Sequence, residues 1–499
     1  MTQGEIEKLT AKTENIFSEL EVRIMSDIVR RIKENGVSTA SADWQISRLQ
    51  QLGMSEKQIR TWIQKALEAS DKEMDHIFSD EAYREYYGHA RAYKLADLRQ
   101  IPFEQNTFLQ QLLEVTKQRL KSEYRNIAGS MGFAIRDPAT GKIRSAPLME
   151  YYRSTLDNAV MDVHSGAFDY NTVLRRTINQ MTASGIRYIE YDSGHRDRVN
   201  VAVRRAVLTG FRQVQGKINE QVAADLGTDQ YEVSYHVGAR PTHQPWQGKV
   251  WSMQQLKEVC GLGEITGLCG INCYHTYRAF APGMVRTYTD KQLAKMIKEE
   301  NTPMEYNGKQ YTTYEALQQQ RKMERGMRAQ RQKIKLFQEG GVDPNDIILA
   351  KAKYQGQMQT YKDFSEKMKL PEQKERIMQD GLRGHFMPTK AELKKITSPT
   401  LKNAAGQDII EVKKASLTAE PNSITQVIKK KGGIERNYYD DTGRQYKQIS
   451  NNNHGNAKQH PYGKNGEHAH DYVYEDGKLI DRPTRDLTED ERKENQDIL

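Results

Sequence analysis

The sequence is poor in cysteine and in long apolar runs. Three cysteines among 499 residues are too few for a disulfide framework, so we expect a protein of a reducing compartment. No run of about 18 apolar residues occurs, and we therefore expect no transmembrane helix and no membrane partner. The first residues, MTQGEIEKLTAKTENIF, lack the basic and apolar regions of a secretory signal. These absences predict a soluble protein or a part of a larger soluble assembly.

The chain is also low in hydrophobicity. Its mean hydropathy is −0.83, and 28% of its residues are charged. Such values favour long, partly exposed helices over one thick core. The net charge of +9 would suit an acidic partner such as nucleic acid. However, 75 basic against 66 acidic residues is a mild excess, which is more typical of an ordinary protein surface.

Residues 1–227 are predicted to form a helical region. In residues 1–35, apolar side chains recur at spacings of three, four and seven, which predicts one buried helix face. A second helix over 41–52, ended by Gly53, and a third helix capped by Ser55 have the spacing of a helix–turn–helix unit. The third helix carries only three basic residues in SEKQIRTWIQKAL, so a packing hairpin is favoured over a DNA-binding unit.

Residues 228–290 are predicted to form a compact α+β domain that contains every cysteine of the chain. Cys269 and Cys273 have the spacing of a pair of zinc ligands, and His275 follows them closely. The candidate metal ligands are His243, Cys269, Cys273 and His275, with Cys260 as a further candidate. Only half of the usual paired spacing is present, which favours the alternative that the cysteines pack as small hydrophobic residues in a tight turn. A Cys–His nucleophile is disfavoured, since neither an oxyanion loop nor an orienting acid is evident.

The segment HQPWQG within this domain predicts architecture rather than catalysis. Trp246 is expected to anchor the loop against the core, and Gly248 is a second structural residue of the motif. His243 could also hydrogen-bond a backbone carbonyl and fix the loop.

Residues 291–387 are predicted to form a basic helical region. Asn307-Gly308 between β-like flanks predicts a hairpin. The long helix that follows has seven basic residues and one acid between Arg321 and Gln338. Clustered cations of this kind can contact phosphate, and the candidate DNA-facing residues are Arg321, Lys322, Arg325 and Arg328. A solvated helix face between subunits is the favoured alternative, because no aromatic residues alternate with the cations.

Residues 388–426 lack sustained periodicity and are predicted to be a linker. Residues 427–499 are predicted to be a small β-containing module rich in histidine. His468 and His470 would share one face of a strand, and the candidate catalytic residues of this module are His454, His468, His470 and Glu467, with His460 nearby. Such groups could bind a metal or act as acid and base on nucleic acid. The favoured alternative is a polar module for recognition or assembly, since the pattern is compositional.

Two runs, GARPTHQPWQGKVW and GLCGINCYHTYRAFAPG, resemble the phage minor capsid protein 2 family, which is similar to the Mu F-like head-morphogenesis proteins of phages and prophages. The resemblance extends from the helical N-terminus through residues 350–382. It implies a structural protein of the phage head that is bound near the portal and acts in head assembly, and that serves in DNA packaging or delivery. The implied partners are portal and major capsid proteins and packaged DNA, and the implied location is the virion, with assembly in the host cytoplasm.

The residues and the resemblance together predict a mainly α protein. It would consist of a long helical N-terminal region, a small α+β central domain and a small β-containing C-terminal module. We expect no enzymatic activity of the main body and no cofactor except zinc at the cysteine and histidine cluster. Because related proteins can carry C-terminal effector modules, the alternative function is a virion-delivered effector whose C-terminal module is a nuclease.

Overall fold

A computed structural model describes residues 3–35, 42–136, 142–164, 168–189, 196–397, 401–429, 432–475 and 478–499. The chain forms two compact units, Met1–Thr389 and Lys390–Leu499. Each unit is described by itself below. Among the described residues, no helix combines the length and the hydropathy that a membrane crossing requires.

Helices make up most of the first unit, which confirms the prediction of a mainly α fold. They are α1 (Gln3–Asn35), α2 (Ala42–His76), α3 (Ala82–Tyr87), α4 (Ala90–Leu95), α5 (Thr107–Gly129), α6 (Leu148–His164), α7 (Tyr170–Ser184), α8 (Val199–Asp225), α9 (Met253–Glu258), α10 (Asp290–Asn301), α11 (Thr313–Gly340), α12 (Pro344–Lys367) and α13 (Lys374–Ile377). One π-helical turn, Ile77–Glu81, joins α2 to α3. The prediction that Gly53 ends a helix is wrong, because α2 runs through it without a break.

The core of the first unit lies around α1. The apolar stripe of this helix is buried, as predicted, and Ile24 and Ile28 are fully inaccessible to solvent. α1 packs against α8, α2 and α11. Helix α8 in turn approaches α5 closely at Gly210, where an added Cβ would lie 2.8 Å from Leu120. The same hydrophobic cluster includes residues of the central segment and of α11 and α12. The regions predicted as 1–227, 228–290 and 291–387 therefore share one core.

Three small β-structures accompany these helices. A four-stranded sheet has the order β2-β1-β3-β4, and a three-stranded sheet has the order β6-β5-β7. The strands are β1 (Met131–Arg136), β2 (Ile143–Pro147), β3 (Ile186–Ile189), β4 (Arg196–Arg198), β5 (Gln230–Val233), β6 (Val250–Ser252), β7 (Tyr277–Ala279), β8 (Met304–Tyr306) and β9 (Lys309–Tyr311). The hairpin β8–β9 turns at Asn307 and Gly308, both with positive φ, and confirms the turn predicted from that pair.

The second unit is built on a seven-stranded sheet of order β10-β11-β12-β13-β14-β15-β18. Its elements are α14 (Lys390–Thr397), β10 (Leu401–Lys402), β11 (Asp408–Glu411), β12 (Ile424–Ile428), β13 (Ile434–Tyr439), β14 (Gln445–Ser450), β15 (His468–Asp471), β16 (Val473–Glu475), β17 (Lys478–Asp481), β18 (Thr484–Arg485) and α15 (Glu489–Glu494). Residues 388–426, predicted as a linker, thus supply one helix and the first strands of this unit. Ile409 of β11 even belongs to its hydrophobic core.

A buried arginine ties the end of this unit to its sheet. Arg436 of β13 is fully inaccessible. Its Nη1 donates to Asn495 Oδ1 at 3.0 Å and to Asp497 Oδ1 at 2.8 Å. A buried charge needs such partners, since an unpaired one costs several kcal/mol, roughly 3–5.

Candidate functional site

The cysteines and histidines of the central segment lie on two loops that flank the sheet β6-β5-β7. The loop 234–249 joins β5 to β6 and carries His236, His243 and Trp246. The loop 259–276 joins α9 to β7 and carries the cysteines and His275. Because both adjacent strands pair with β5, the two loops meet at the same place.

Three of the predicted ligands come together there. The Nδ1 atoms of His243 and His275 lie 3.4 Å apart, and Cys273 Sγ lies 3.4 Å from His275 Nδ1. All three side chains are buried, and their donor atoms lie within 4.8 Å of one another. Donors placed about 2.0–2.3 Å from a tetrahedral zinc ion would lie about 3.3–3.6 Å apart. Two of the three donor separations therefore match those expected around a zinc ion.

The far side of each imidazole is fixed by a backbone or amide oxygen. His243 Nε2 donates to Thr266 O at 2.8 Å, and His275 Nε2 donates to Gln247 Oε1 at 2.9 Å. Both bonds place the proton on Nε2, which leaves the two Nδ1 lone pairs facing each other. Outer hydrogen bonds of this kind orient metal-binding histidines.

The other two cysteines do not join this group. Cys269 Sγ donates to the backbone oxygen of His275 at 3.5 Å, and its backbone has a φ of +60°. Cys260 is buried in the hydrophobic core. The structure thus brings together His243, Cys273 and His275 and leaves Cys269 and Cys260 as packing residues.

Trp246 and Gly248 shape the loop that carries His243. The indole ring of Trp246 lies 4.6 Å from the His243 ring and 4.8 Å from the His275 ring, measured between centroids. Gly248 has a φ of +69°, and an added Cβ there would lie 2.6 Å from Leu293. Trp246 therefore packs against both histidine rings, and Gly248 allows the positive φ of the turn after Trp246.

Burial sets the protonation of the cluster. Desolvation raises the pKa of the Cys273 thiol above its ordinary value, so the thiol is protonated at neutral pH. Desolvation also lowers the pKa of His243 and of His275. A protonated thiol is a poor nucleophile, whereas neutral imidazoles are the form that binds metal. Zinc binding, predicted from the sequence with Cys269 as a fourth candidate ligand, stays a prediction.

A cleft of about 290 Å³ opens beside the cluster. Six arginines and three glutamates line it together with His236, His243 and His275. The arginines are Arg204, Arg240, Arg321, Arg325, Arg328 and Arg376, and the glutamates are Glu7, Glu14 and Glu324. The cleft is therefore highly charged, with cations in excess.

The four residues that were predicted to face DNA differ in their exposure to solvent. Arg321 and Arg328 are half-buried in the cleft wall, and Arg321 lies over the Tyr274 ring at 5.5 Å. Arg328 Nη1 donates to Gln379 Oε1 at 3.4 Å. Lys322 and Arg325 are exposed. The four residues thus do not form one solvent-facing stripe.

In the second unit, the histidines predicted from composition converge. His468 and His470 lie on β15, and the long loop between β14 and β15 brings His454 and His460 to them. His460 stacks on His468 with ring centroids 4.0 Å apart. Donor atoms of His454, His468 and His470 lie within 4.8 Å of one another.

The carboxylate of Glu467, a predicted catalytic residue, is bound within a turn. Its Oε2 accepts from the backbone N of Asn465 at 2.7 Å, and its Oε1 accepts from that of Lys464 at 3.1 Å. Arg492 lies 3.4 Å from Oε1. These bonds occupy the carboxylate in the turn that precedes β15, apart from the three histidine donors.

The histidines of this cluster share a direction of pKa change. Burial, together with the Arg482 guanidinium, lowers the pKa of His470 to about 3. Burial also lowers the pKa of His454 and of His468. All three rings are therefore neutral at pH 7.

Comparison with known proteins gives one match. The family model described as "Phage minor capsid protein 2" matches residues 1–366, which is 366 of 499 residues. The chain belongs to this family. No curated protein and no solved structure matches the chain.

Membership of the minor capsid protein 2 family confirms the resemblance seen in the sequence and makes the protein a structural component of the phage virion. The matched residues contain the central cluster and the lining of its cleft except Arg376 and Gln379. They end within α12, before the second unit begins. The histidine cluster is therefore a feature outside the part that the family defines.

Several residues of these sites carry no sequence signal. Gln247 fixes His275 and lies in the quoted HQPWQG segment, yet an isolated glutamine predicts nothing about its partner. Arg204 and Glu14 reach the cleft from α8 and α1. Contacts between residues so distant in the sequence depend on how the helices pack, and the spacing of apolar residues alone does not define this packing.

Proposed function

We propose that this minor capsid protein docks on the portal during head assembly and serves there in DNA packaging or delivery. Family membership supports contact with other virion proteins. The observation that supports docking through the first unit is an exposed apolar face on α5. Phe108 and Val115 are 54% and 64% exposed there, and Leu112 lies between them at helical spacing.

The segment that leads into α5 extends this apolar character. Leu95, Leu98 and Ile101 are 67%, 43% and 51% exposed. Single exposed apolar residues are ordinary, but a run of them marks an interaction site. A portal subunit, present in every head, is the partner to which we assign this face.

The test is the double change Phe108→Glu with Val115→Glu. Two lost anchors at about 1–2 kcal/mol each would lower the number of copies in purified heads by about tenfold or more. Quantitative mass spectrometry of heads measures this number, and tryptophan fluorescence checks that the variant folds. The double change Gln111→Glu with Gln118→Glu adds the same charge at exposed polar positions of α5 and is the control. The proposal would be contradicted if heads contained as many copies of the Phe108/Val115 variant as they contain of the wild-type protein.

A second function is supported by the convergence of His454, His460, His468 and His470 in the second unit. We infer that this unit is a nuclease carried with the virion. The full chain, incubated with RNA and with DNA in the presence of several divalent metals, should cleave one of them. His468→Ala should lower the rate by at least about 100-fold, while His385→Ala, an exposed histidine of the first unit, should leave it unchanged. Absence of cleavage under all these conditions removes the nuclease function and leaves the docking proposal untouched.

A further inference from the structure

Two histidines of the second unit have an arrangement that a simple polar surface does not require. His468 and His470 are separated by one residue on β15, so their side chains lie on one face of the sheet. Both are buried. Their Nε2 atoms lie 3.1 Å apart. The Nε2 atoms of two buried imidazole rings therefore face each other.

The opposite nitrogen of each ring is already bound. His468 Nδ1 lies 2.8 Å from the backbone oxygen of Gly466, and because a carbonyl can only accept, this nitrogen carries the proton. His468 Nε2 is therefore unprotonated and carries a lone pair. His470 Nδ1 lies 3.0 Å from Thr484 Oγ1 on the neighbouring strand β18. When the protein holds Nδ1 of a histidine, Nε2 is left to bind a metal, and such hydrogen bonds commonly orient metal-binding histidines.

We propose that His454, His468 and His470 bind a divalent transition-metal ion of the zinc class. Two nitrogens about 2.0–2.1 Å from a tetrahedral zinc ion would lie about 3.3 Å apart, close to the separation of the two Nε2 atoms. Imidazole is a ligand for zinc, copper, iron and nickel, whereas magnesium and calcium require oxygen ligands. A donor set of three histidines without a carboxylate therefore favours zinc, copper, iron or nickel over magnesium or calcium.

The third ligand lies on a loop with a left-handed backbone turn. His454 has a φ of +53°, a conformation that few residues other than glycine, asparagine, aspartate and histidine adopt. Its backbone N donates to Asn452 Oδ1 at 3.0 Å, which holds this turn. Its Nδ1 lies 3.8 Å from Oε1 of the buried Glu435, so a carboxylate stands behind this ring.

One side of the cluster faces solvent. His454 is partly exposed, whereas His468 and His470 are not. Three protein ligands with an open position are typical of catalytic zinc sites, and four protein ligands of structural ones. Metal binding here does not rest on the nuclease function, because an ion can be bound whether or not nucleic acid is cleaved.

The experiment uses the full chain with Cys273→Ser, which removes the thiolate donor of the central cluster. Titration with Co²⁺ alone should give the visible bands of a tetrahedral ion without a thiolate charge-transfer band, saturating at one ion per chain, and Zn²⁺ should displace it. His454→Asn is the main variant, since asparagine tolerates the positive φ at this position. This variant should weaken Co²⁺ binding by about 100-fold, and Thr484→Val should weaken it by about tenfold, because the hydrogen bond that orients the His470 ring is lost.

His385→Ala should leave the titration unchanged. Circular dichroism melting identifies any variant that fails to fold, and His454→Asn alters a loop rather than the sheet. A Cys273→Ser chain that shows no saturable Co²⁺ binding overturns the site, because the two Nε2 atoms would then form only an ordinary hydrogen bond. Equal affinity of His454→Asn and the Cys273→Ser parent overturns it as well. Cleavage assays on the same samples report separately on the nuclease function.

Discussion

Asp380→Ala is expected to lower the free energy of unfolding of the first unit by about 3–5 kcal/mol. Asp380 and Arg331 are 1% and 7% exposed in their side chains, and the guanidinium binds the carboxylate through two bonds, of 2.7 and 3.1 Å. Removal of the carboxylate leaves a buried cation with only neutral partners, the backbone oxygen of Leu382 and the Tyr354 side chain. The loss is large because the cation stays in a medium that solvates it poorly.

Urea unfolding followed by tryptophan fluorescence measures this effect in the first unit alone. All four tryptophans, at positions 44, 62, 246 and 251, lie before residue 390. Glu299→Ala is the matched control, since Glu299 pairs with Lys295 on the surface at 3.8 Å, with side chains 65% and 77% exposed. That change should cost less than about 0.5 kcal/mol. Equal unfolding midpoints for the two variants would show that the Arg331–Asp380 pair contributes nothing beyond an exposed one.

Glu491→Gln is expected to destabilise the second unit by about 2–3 kcal/mol at pH 7. Glu491 is buried, and its two oxygens accept from Arg485 Nη1 and Nη2 at 2.8 and 2.9 Å. Lys447 Nζ lies 3.1 Å away, and the Thr488 backbone N donates to the same carboxylate at 3.0 Å. A neutral amide keeps the size of this side chain but loses the charge that these donors require.

The same carboxylate predicts a dependence on pH. Hydrogen bonds from Arg485 lower the pKa of Glu491 to about 2 from an ordinary value near 4.5. Because the pKa is lower in the folded state, the stabilisation is complete above about pH 4.5 and is lost as the pH falls toward 2. Stability should therefore fall less steeply across this window in Glu491→Gln than in the wild type.

Hydrogen exchange of the β14 and β15 amides, followed by mass spectrometry at pH 7 and pH 3, locates the effect in the second unit, which has no tryptophan. Glu489→Gln alters an exposed acid at the start of α15 and is the control. Protection that falls with pH equally in Glu491→Gln and in the wild type would contradict the assignment to this carboxylate.

Local patterns predicted those parts of the fold that depend on neighbours in the sequence. The apolar stripe of α1 became its buried face, and Asn307-Gly308 formed the turn of a hairpin. The spacing of His468 and His470 placed them on one strand face. Each of these features is defined by a period of the backbone or by a turn conformation, so the sequence alone contains the information.

Features that depend on distant partners were not predictable in the same way. Glycine within a helix costs only about 1 kcal/mol, so packing carried α2 through Gly53. The cations of α11 looked like one free basic face, yet Arg331 is paired with Asp380, 49 residues later. Residues 388–426 looked like a linker because their strands are short. Ile409 and Ile424 are buried only once β11 and β12 pair in parallel.

The bonds from Arg436 to Asn495 and Asp497 join residues 59 and 61 positions apart. A ribosome adds about 5–20 residues per second, so roughly 3–12 s separate the synthesis of β13 from that of its ionic partners. During this interval the guanidinium must remain hydrated, and the strand that carries it cannot be enclosed. The sheet of the second unit can therefore close around this side chain only after Asn495 and Asp497 have been synthesised.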